Sequence, residues 1–228
     1  MSKTTIWFSP TALLGKEHAA HVFSKWLTDE ERARHDRFLF EKNRHEFLAT
    51  RALERTVLAA HLGCSPDAIR FERNAYGKPS IVGEPKLRFN LTNTLDLVAC
   101  TVSESGDIGI DAEPLARADT VLEVASSVFL PSEIAELEAL DVSAKSRRAV
   151  ELWTLKEAYM KAMGMGMSLP PDSFGFTARA LSSPPKEDSD PSRWRFEVVE
   201  IERHLVSVAI EQAGTESIAV GTERVVFG

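Results

Sequence analysis

Cysteine is scarce in this chain: only Cys64 and Cys100 occur among its 228 residues, and they form no CxxC pair. A disulfide framework needs several cysteines, and a structural zinc site needs clustered ligands. The sequence therefore argues against both, and we expect two reduced thiols in a cytosolic protein.

Long apolar runs are also missing, since none approaches the roughly 20 residues that a membrane helix needs. The stretch from Met1 to His18 lacks the continuous apolar segment of a secretory signal. We therefore expect a cytoplasmic protein that does not bind a membrane.

The charge shows no basic excess, because the formal net charge is −7 at pH 7. General nucleic-acid binders are usually basic, so that class is disfavoured. A phosphate ligand would have to be held by local positive groups against an acidic background. With 43% hydrophobic residues, the chain can bury a sizeable core, as one large domain or two small, tightly joined ones.

Strands and helices alternate in the first half of the chain. Thr28 and Glu31 form a capping box that predicts a helix start, and Gly63 predicts the end of a longer helix. The predicted elements are a strand at 4–8, a helix after Thr28, a helix at 41–62, an extended segment at 68–73, a turn at 76–79, and strands at 86–90, 97–103 and 107–113.

Helix returns around Pro114, and strands dominate the last part of the chain. The predicted elements are a helix opened by residues 129–133, a helix at 148–163 ended by Gly164, and strands at 173–180, 193–200, 204–210 and 217–227. The segment at 182–192 is rich in Ser, Pro and Asp and is predicted to be a surface loop.

A short sequence pattern occurs once in each half of the chain. Residues 26–30 and 129–133 share an aromatic-Leu-x-x-Glu opening, and each is followed by a long helix that ends at Gly and then by strands. A chance match and a duplicated two-lobe fold both remain open. In a duplicated fold the lobes would be residues 1–113 and 114–228, and a cleft between them is the natural place for a ligand.

Two acids stand close together in the segment 107–114, Asp-Ile-Gly-Ile-Asp-Ala-Glu-Pro. Side chains alternate along a strand, so Asp111 and Glu113 point the same way. Neighbouring carboxylates repel unless a cation or a proton lies between them, and hard oxygen ligands suit magnesium. The alternative is a strand end with two solvated acids.

A second motif lies on the predicted helix at 148–163. Trp153, Glu157 and Lys161 are four residues apart and therefore share a face. Glu157 could bind a metal while Lys161 binds a phosphate oxygen. The alternative is an ordinary surface ion pair.

A third motif, Arg-Phe-Asn-Leu-Thr-Asn-Thr at 88–94, is predicted to run from a strand into a polar turn. Thr92, Asn93 and Thr94 offer donors to an anion, although such residues usually satisfy their own backbone. The turn at 76–79 adds Lys78, and the first long helix adds Arg51.

Together these pieces resemble the surfactin-synthetase-type 4'-phosphopantetheinyl transferases. The matching motifs are Tyr-Gly-Lys-Pro at 76–79, Phe-Asn-Leu-Thr at 89–92, Gly-Ile-Asp-Ala-Glu at 109–113, and Trp-x-x-Lys-Glu-Ala at 153–158 with Lys161. The resemblance extends from about residue 27 to residue 176, and the last two motifs at this separation are specific.

The resemblance implies an α+β fold of two similar lobes related by a pseudo-twofold axis, with the active site in the cleft between them. It implies a monomer that moves 4'-phosphopantetheine from coenzyme A to a serine of an acyl or peptidyl carrier protein, with Mg²⁺, releasing 3',5'-ADP. Attack of the serine needs charge neutralisation, alignment and a proton acceptor. The acceptor could be Glu157 or a metal-bound water.

The resemblance also implies roles for individual residues. Mg²⁺ would be held by Asp111, Glu113 and Glu157. Coenzyme A would be bound by Arg51 at the 3'-phospho-ADP half, Lys78 and Pro79 beside adenine, Thr92 and Asn93 on a phosphate, and Asp111 and Lys161 at the pyrophosphate. Glu157 and Lys161 are the predicted catalytic residues.

The chain departs from the family pattern at two places. Thr92-Asn93 stands where the family often has Ser-His, so no histidinium can form at that position, and His45 is the histidine proposed to reach the cleft instead. Glu30 and Glu31 stand where some members carry lysines for the 3'-phosphate, and Arg34 and Arg37 could substitute for them.

Two other functions compete with this one. The same three carboxylates could direct water in a magnesium-dependent hydrolase of nucleotide pyrophosphates. A non-enzymatic module that binds a carrier protein or a nucleotide would use the carboxylates only structurally, and its binding would not depend on Mg²⁺.

Overall fold

Two long helices of equal length dominate the fold. A computed structural model describes residues 3–13, 21, 23–212 and 219–227. Helices α2 and α6 have 22 residues each, and each ends at a glycine with positive φ, Gly63 at 63° and Gly164 at 66°. The helices are α1 (Asp29–Arg37), α2 (Glu41–Leu62), α3 (Ala118–Glu123), α4 (Ala125–Val128), α5 (Pro131–Glu138) and α6 (Val142–Met163).

Eleven strands in the described residues form two main sheets and two short hairpins. The strands are β1 (Lys3–Pro10), β2 (Phe71–Arg73), β3 (Pro79–Ile81), β4 (Arg88–Thr94), β5 (Leu97–Ser103), β6 (Ile108–Pro114), β7 (Gly175–Thr177), β8 (Ala180–Ser183), β9 (Trp194–Ile201), β10 (His204–Glu211) and β11 (Ala219–Arg224). The first sheet has the order β11-β1-β5-β4 and the second β6-β10-β9, while β2-β3 and β7-β8 are the hairpins. The fold is a mixture of helix and mainly antiparallel sheet, which confirms the predicted α+β class.

Alternation along the strands separates three apolar layers. On β5, Val98 and Cys100 pack against α2, whereas Leu97 and Ala99 pack into a core shared by the two sheets. On β6, Ile110 also faces this shared core. Helix α6 packs on the opposite face of the second sheet. The two sheets therefore meet face to face, and one long helix covers each outer face.

A buried ion pair recurs in the two halves. Glu31 accepts from the backbone N–H of Thr28 and binds Arg55 of α2 at 2.8 Å. Glu133 likewise accepts from the N–H of Leu130 and binds Lys156 of α6 at 2.9 Å. The two cations also bind carbonyl oxygens after each helix: Pro66 and Ile69 for the first, Pro171 and Phe174 for the second.

This recurrence goes with a shared strand order, because β1-β5-β4 has the same sequence of pairings as β6-β10-β9. Both observations support duplication. A twofold axis between the lobes stays a prediction.

The pairing of the strands does not follow the predicted lobe boundary between residues 113 and 114. Strand β6 pairs with β10 in the second sheet, although residues 108–113 were assigned to the first lobe. Strand β11 pairs in parallel with β1, although it was assigned to the second lobe. Sequence order alone could not reveal this, because a strand's partners are set by tertiary contacts.

Several predicted boundaries also shift. The polar turn predicted after Asn90 is wrong, since β4 continues to Thr94. The strand predicted at 173–180 is two short strands, and helix α6 begins at Val142 rather than at residue 148. In the predicted surface loop at 182–192, Asp188 is buried and accepts from Tyr159 and Trp194. Of the strand predicted at 217–227, residues 217 and 218 lie outside the described residues.

No helix within the described ranges is both long and apolar enough to span a membrane.

Candidate active site

The site begins where strand β6 touches helix α6. A Cβ on Gly109 would lie 2.0 Å from the carbonyl oxygen of Ala158 and 2.5 Å from the amide nitrogen of Ala162. Only glycine permits so close an approach. Because side chains alternate along β6, Asp111 and Glu113 lie on the same face as Gly109 and point towards α6.

Asp111 lies at the centre of the site and is buried. Its Oδ1 accepts from Lys161 Nζ at 2.6 Å and from Thr92 Oγ1 at 3.2 Å. Its Oδ2 is buried without a hydrogen-bond partner. A buried acceptor of this kind is costly unless it meets a cation or a donor, so Asp111 retains capacity for a ligand.

Glu113 is held by two side chains. Thr94 Oγ1 donates to its Oε2 at 3.1 Å, and Arg117 Nη1 lies 2.7 Å from its Oε1. Burial and the neighbouring charge of Asp111 raise the pKa of Glu113, although Arg117 opposes the rise. The carboxylate pair predicted on this strand therefore exists, and its members repel each other.

Glu157 faces this pair from helix α6. Burial raises the pKa of Glu157, the charges of Asp111 and Glu113 raise it further, and Lys161 lowers it. The predicted shared face of Glu157 and Lys161 is thus turned towards the acids of β6. The structure brings together Asp111, Glu113, Glu157 and Lys161 from two distant segments.

Three carboxylates form the donor set that magnesium would need. Among the described residues, no group of three His, Cys, Asp or Glu side chains is arranged as an assembled metal site. Lys161 and Arg117 each already pair with one acid. The chemistry of these side chains still fits magnesium. The three carboxylates repel one another, and the Oδ2 of Asp111 has no hydrogen-bond partner. Mg²⁺ prefers oxygen ligands of this kind.

A cleft of about 300 Å³ opens beside these groups. Glu157 and Lys161 line one side of it, and Lys78 and Pro79 line the other. The remaining lining residues are Tyr76, Gly77, Asn90, Leu91, Met160, Gly164, Gly166 and Met167. The cleft therefore lies between the 76–79 turn and the last part of helix α6.

Arg51 lies in a neighbouring cavity of about 380 Å³ that shares Pro79 with the cleft. Its Nη1 lies 2.6 Å from Glu54 Oε2 and 3.8 Å from Glu31 Oε1. Three further arginines line this cavity: Arg34, Arg70 and Arg73. Asp29, Glu30 and Glu31 also line it, so an anion there would be held by four arginines against three neighbouring acids.

His45 lines a different cavity from the cleft, and its Nε2 lies 2.8 Å from the carbonyl oxygen of Thr11. The structure therefore does not support the idea that it reaches the cleft. Arg37 bonds the carbonyl oxygen of Ala33 on its own helix.

Thr92 and Asn93 point to opposite sides, because they are consecutive residues of β4. Thr92 is buried and donates to Asp111, whereas Asn93 is exposed. The expectation that both side chains share one phosphate rested on a turn and is not supported by the strand.

Sequence reasoning missed a polar ladder between β4 and β6. Asn90 Oδ1 accepts from the backbone N–H of Ile110 at 2.9 Å, and Thr92 and Thr94 donate to the two acids of β6. The period of two in Asn90, Thr92 and Thr94 was the available signal. The predicted strand ends at Asn90, so this period does not extend along it.

Comparison with known proteins gives two adjacent matches. Residues 15–106 match the family described as 4'-phosphopantetheinyl transferase, N-terminal, and residues 107–209 match the 4'-phosphopantetheinyl transferase superfamily. Together they extend over most of the chain.

Individual relatives agree with these matches. The 4'-phosphopantetheinyl transferase HetI of Nostoc sp. is 36% identical over 145 residues, which are 62% of this chain and 61% of the relative. A phosphopantetheinyl transferase of Thraustochytrium sp. is 31% identical over 212 residues, covering 85% of this chain and 73% of the relative. The match thus spans less than two thirds of the Nostoc protein.

A solved holo-(acyl-carrier-protein) synthase from Bacillus anthracis str. Ames in complex with CoA (3',5'-ADP) has a TM-score of 0.38 and 19% identity. The likeness covers 47% of this chain and 96% of that one. A likeness at this level supports no conclusion about fold or ligand.

Proposed function

This chain belongs to the 4'-phosphopantetheinyl transferase family, and we propose that it transfers 4'-phosphopantetheine from coenzyme A to a serine of an acyl or peptidyl carrier protein. The observation that carries the proposal is the convergence of Asp111, Glu113 and Glu157 with Lys161 beside a cleft. Such a group can neutralise a pyrophosphate and accept a proton in one place.

Coenzyme A would lie in the cleft with its pyrophosphate near Lys161. Pro79 lines both this cleft and the arginine cavity, so one extended ligand could reach from Lys161 to Arg51. Arg51 and its neighbouring arginines would receive the anionic 3'-phospho-ADP half. The exposed amide of Asn93 would offer a donor to a phosphate, while Thr92 would act through Asp111.

Magnesium would be held by Asp111, Glu113 and Glu157, whose oxygens suit it. When bound, the ion would neutralise the negative charge of the pyrophosphate. Thr92 and Thr94 would fix the orientation of the first two carboxylates through their hydroxyl groups. Lys161 would then be free to move from Asp111 to a phosphate oxygen.

In the proposed reaction the serine Oγ forms a bond to the β-phosphorus of coenzyme A. The bond from this phosphorus to the bridging oxygen breaks, and its electron pair leaves with 3',5'-ADP. Glu157 would take the serine proton on a carboxylate oxygen, because it lines the cleft beside Lys161, where the reacting groups would meet. Lys161 would stabilise the charge of the leaving group.

The test is incubation of the protein with coenzyme A, Mg²⁺ and an apo carrier, followed by mass spectrometry of the carrier. A mass gain equal to one phosphopantetheine, matched by 3',5'-ADP release, is the expected result. Release of 3',5'-ADP without a carrier would favour the pyrophosphate hydrolase. Binding without either product, unaffected by removal of Mg²⁺, would favour the non-enzymatic module.

A panel of apo carriers from fatty-acid, polyketide and non-ribosomal-peptide systems would define the partner. Sedimentation of the free protein tests the expected monomer.

A further inference from the structure

The turn that precedes the cleft reaches across to the other lobe. We define the interlobe turn as residues 74–79. Asn74 Oδ1 accepts from the backbone N–H groups of Tyr76 and Lys78, both at 2.9 Å. Asn74 Nδ2 donates to the carbonyl oxygen of Gly164 at 2.9 Å, immediately after helix α6. One amide therefore shapes the turn with its oxygen and docks it on the helix with its nitrogen.

Lys78 makes a second connection at the same place. Its Nζ donates to the carbonyl oxygen of Ala162 at 2.6 Å and to Asp107 Oδ1 at 3.1 Å. The side chain is 13% exposed, and a Cβ on Gly164 would lie 2.7 Å from Lys78 Cδ. The lysine stem thus packs directly against the glycine that ends the helix.

The connection matters because of what the end of a helix does. The last four carbonyl groups of a helix have no partner within it, and they carry a partial negative charge. The end of α6 faces the cleft, where an anionic substrate is proposed to bind. Lys78 and Asn74 supply the missing donors, and Lys78 places a positive charge on the negative end.

Lys161 is adjacent to Ala162, so the interlobe turn holds the part of α6 that presents the cleft lysine. We propose that Asn74 and Lys78 are positioning residues that fasten the end of α6 across the cleft and so hold Lys161 and Glu157 against β6. The effect on turnover rests on the proposed transferase function. The fastening itself does not.

This role differs from the one that the family resemblance implies for Lys78. The resemblance places Lys78 beside adenine. If its Nζ also bound the substrate, it would have to leave both of its present acceptors, the carbonyl oxygen of Ala162 and Asp107 Oδ1. Asn74→Asp separates the two roles, because it leaves Lys78 unchanged. It keeps the oxygen that shapes the turn and replaces the donor to Gly164 with a second acceptor.

The first experiment measures amide hydrogen exchange in the free protein, without coenzyme A. In Asn74→Asp and in Lys78→Met, exchange should speed up by about fivefold or more in residues 160–164, the change expected for losing about 1 kcal/mol of hydrogen bonding. Exchange in α2 should not change. Matched controls are Asn43→Asp and Lys86→Met, which alter exposed residues elsewhere.

The second experiment measures transfer by the same variants. Lost positioning of Lys161 should lower kcat more than it raises KM for coenzyme A, and Lys78→Arg should restore part of kcat. The combined Asn74→Asp/Lys78→Met variant should lose less than the product of the single losses, since both act on one helix end.

The outcomes separate the two proposals. Unchanged exchange at residues 160–164 in both variants would overturn the fastening role, whatever the activity. A pure rise in KM with normal kcat would assign Lys78 to substrate contact instead. If wild-type protein transfers nothing, the transferase function fails while the exchange result still decides the structural role.

Discussion

Lys161 Nζ lies 2.6 Å from Asp111 Oδ1 and also donates to the carbonyl oxygen of Ile110, so a helix of one motif is bonded directly to the strand of another. The ammonium group of Lys161 therefore lies beside Asp111, and a bound metal ion would have to share this carboxylate with it. Through this contact, Asp111 of β6 and Lys161 of α6 lie side by side at the proposed site.

Removing the negative charge of either Asp111 or Glu157 should stop transfer without unfolding the protein. Asp111→Asn and Glu157→Gln keep size but lose an anionic oxygen, and a magnesium site with few protein ligands tolerates little loss. Each variant should lose at least about 100-fold in kcat/KM, on the order of removing one charge-stabilising group. Asp119→Asn, an exposed acid on α3, is the control. Wild-type rates in either variant would remove that residue from the site.

Lys161→Ala tests whether this lysine contacts the pyrophosphate. Loss of a donor that stabilises developing charge should lower kcat by about 10²–10³-fold. If Lys161 only paired with an acid at the surface, the change would be less than about fivefold. Steady-state kinetics distinguish these results, and Lys145→Ala on the same helix is the control.

Asn93→His should introduce a new pH dependence of coenzyme A binding. Asparagine does not titrate, whereas a histidine with a pKa near 6.5 gains charge as pH falls. The variant should therefore bind coenzyme A more tightly below about pH 6.5 than above it. Calorimetric titration of both proteins between about pH 5.5 and 8 measures this. Parallel affinity curves would mean that position 93 does not face a phosphate.

Glu54 should make the protein less stable as pH rises towards neutrality. Burial raises the pKa of Glu54 from 4.5 to about 7, although Arg51 opposes the rise. The folded state then binds a proton more tightly than the unfolded state. The stabilisation that protonated Glu54 gives to the folded state is fully present below about pH 4.5. It is lost as pH rises through about 7, at up to about 1.4 kcal/mol per pH unit.

The measurement is the free energy of unfolding of wild type and Glu54→Gln between pH 5 and 8. Subtracting the two curves removes the other groups that face this carboxyl, which are Glu31, Arg51, Arg55, Arg73 and Cys100. The difference should shift in favour of Glu54→Gln as pH rises. A difference that is constant with pH would show that Glu54 titrates normally.

Local patterns predicted the helix ends and the charged motifs well. The capping box at Thr28, the ends of α2 and α6 at Gly63 and Gly164, and the alternation that pairs Asp111 with Glu113 all follow from neighbouring residues. Each of these features depends on contacts within a few positions of the chain. Such contacts are readable from sequence alone.

Features that depend on distant contacts were not readable in this way. The partner of Glu113 is Arg117, four residues away, but its second partner Thr94 comes from another sheet. Asp188 lies in the loop that the sequence predicts, but it is buried there because Tyr159 donates to it. The docking of Asn74 on Gly164 joins residues 90 positions apart. Nothing local marks these pairings.

Gly109 has a consequence for how this site can vary. Because β6 and α6 meet through main-chain atoms at this point, the closest approach of the strand of Asp111 to the helix of Glu157 depends on the missing side chain of residue 109. A substitution at residue 109 would therefore act on the reactive groups indirectly, by pushing Glu157 away from the acids of β6.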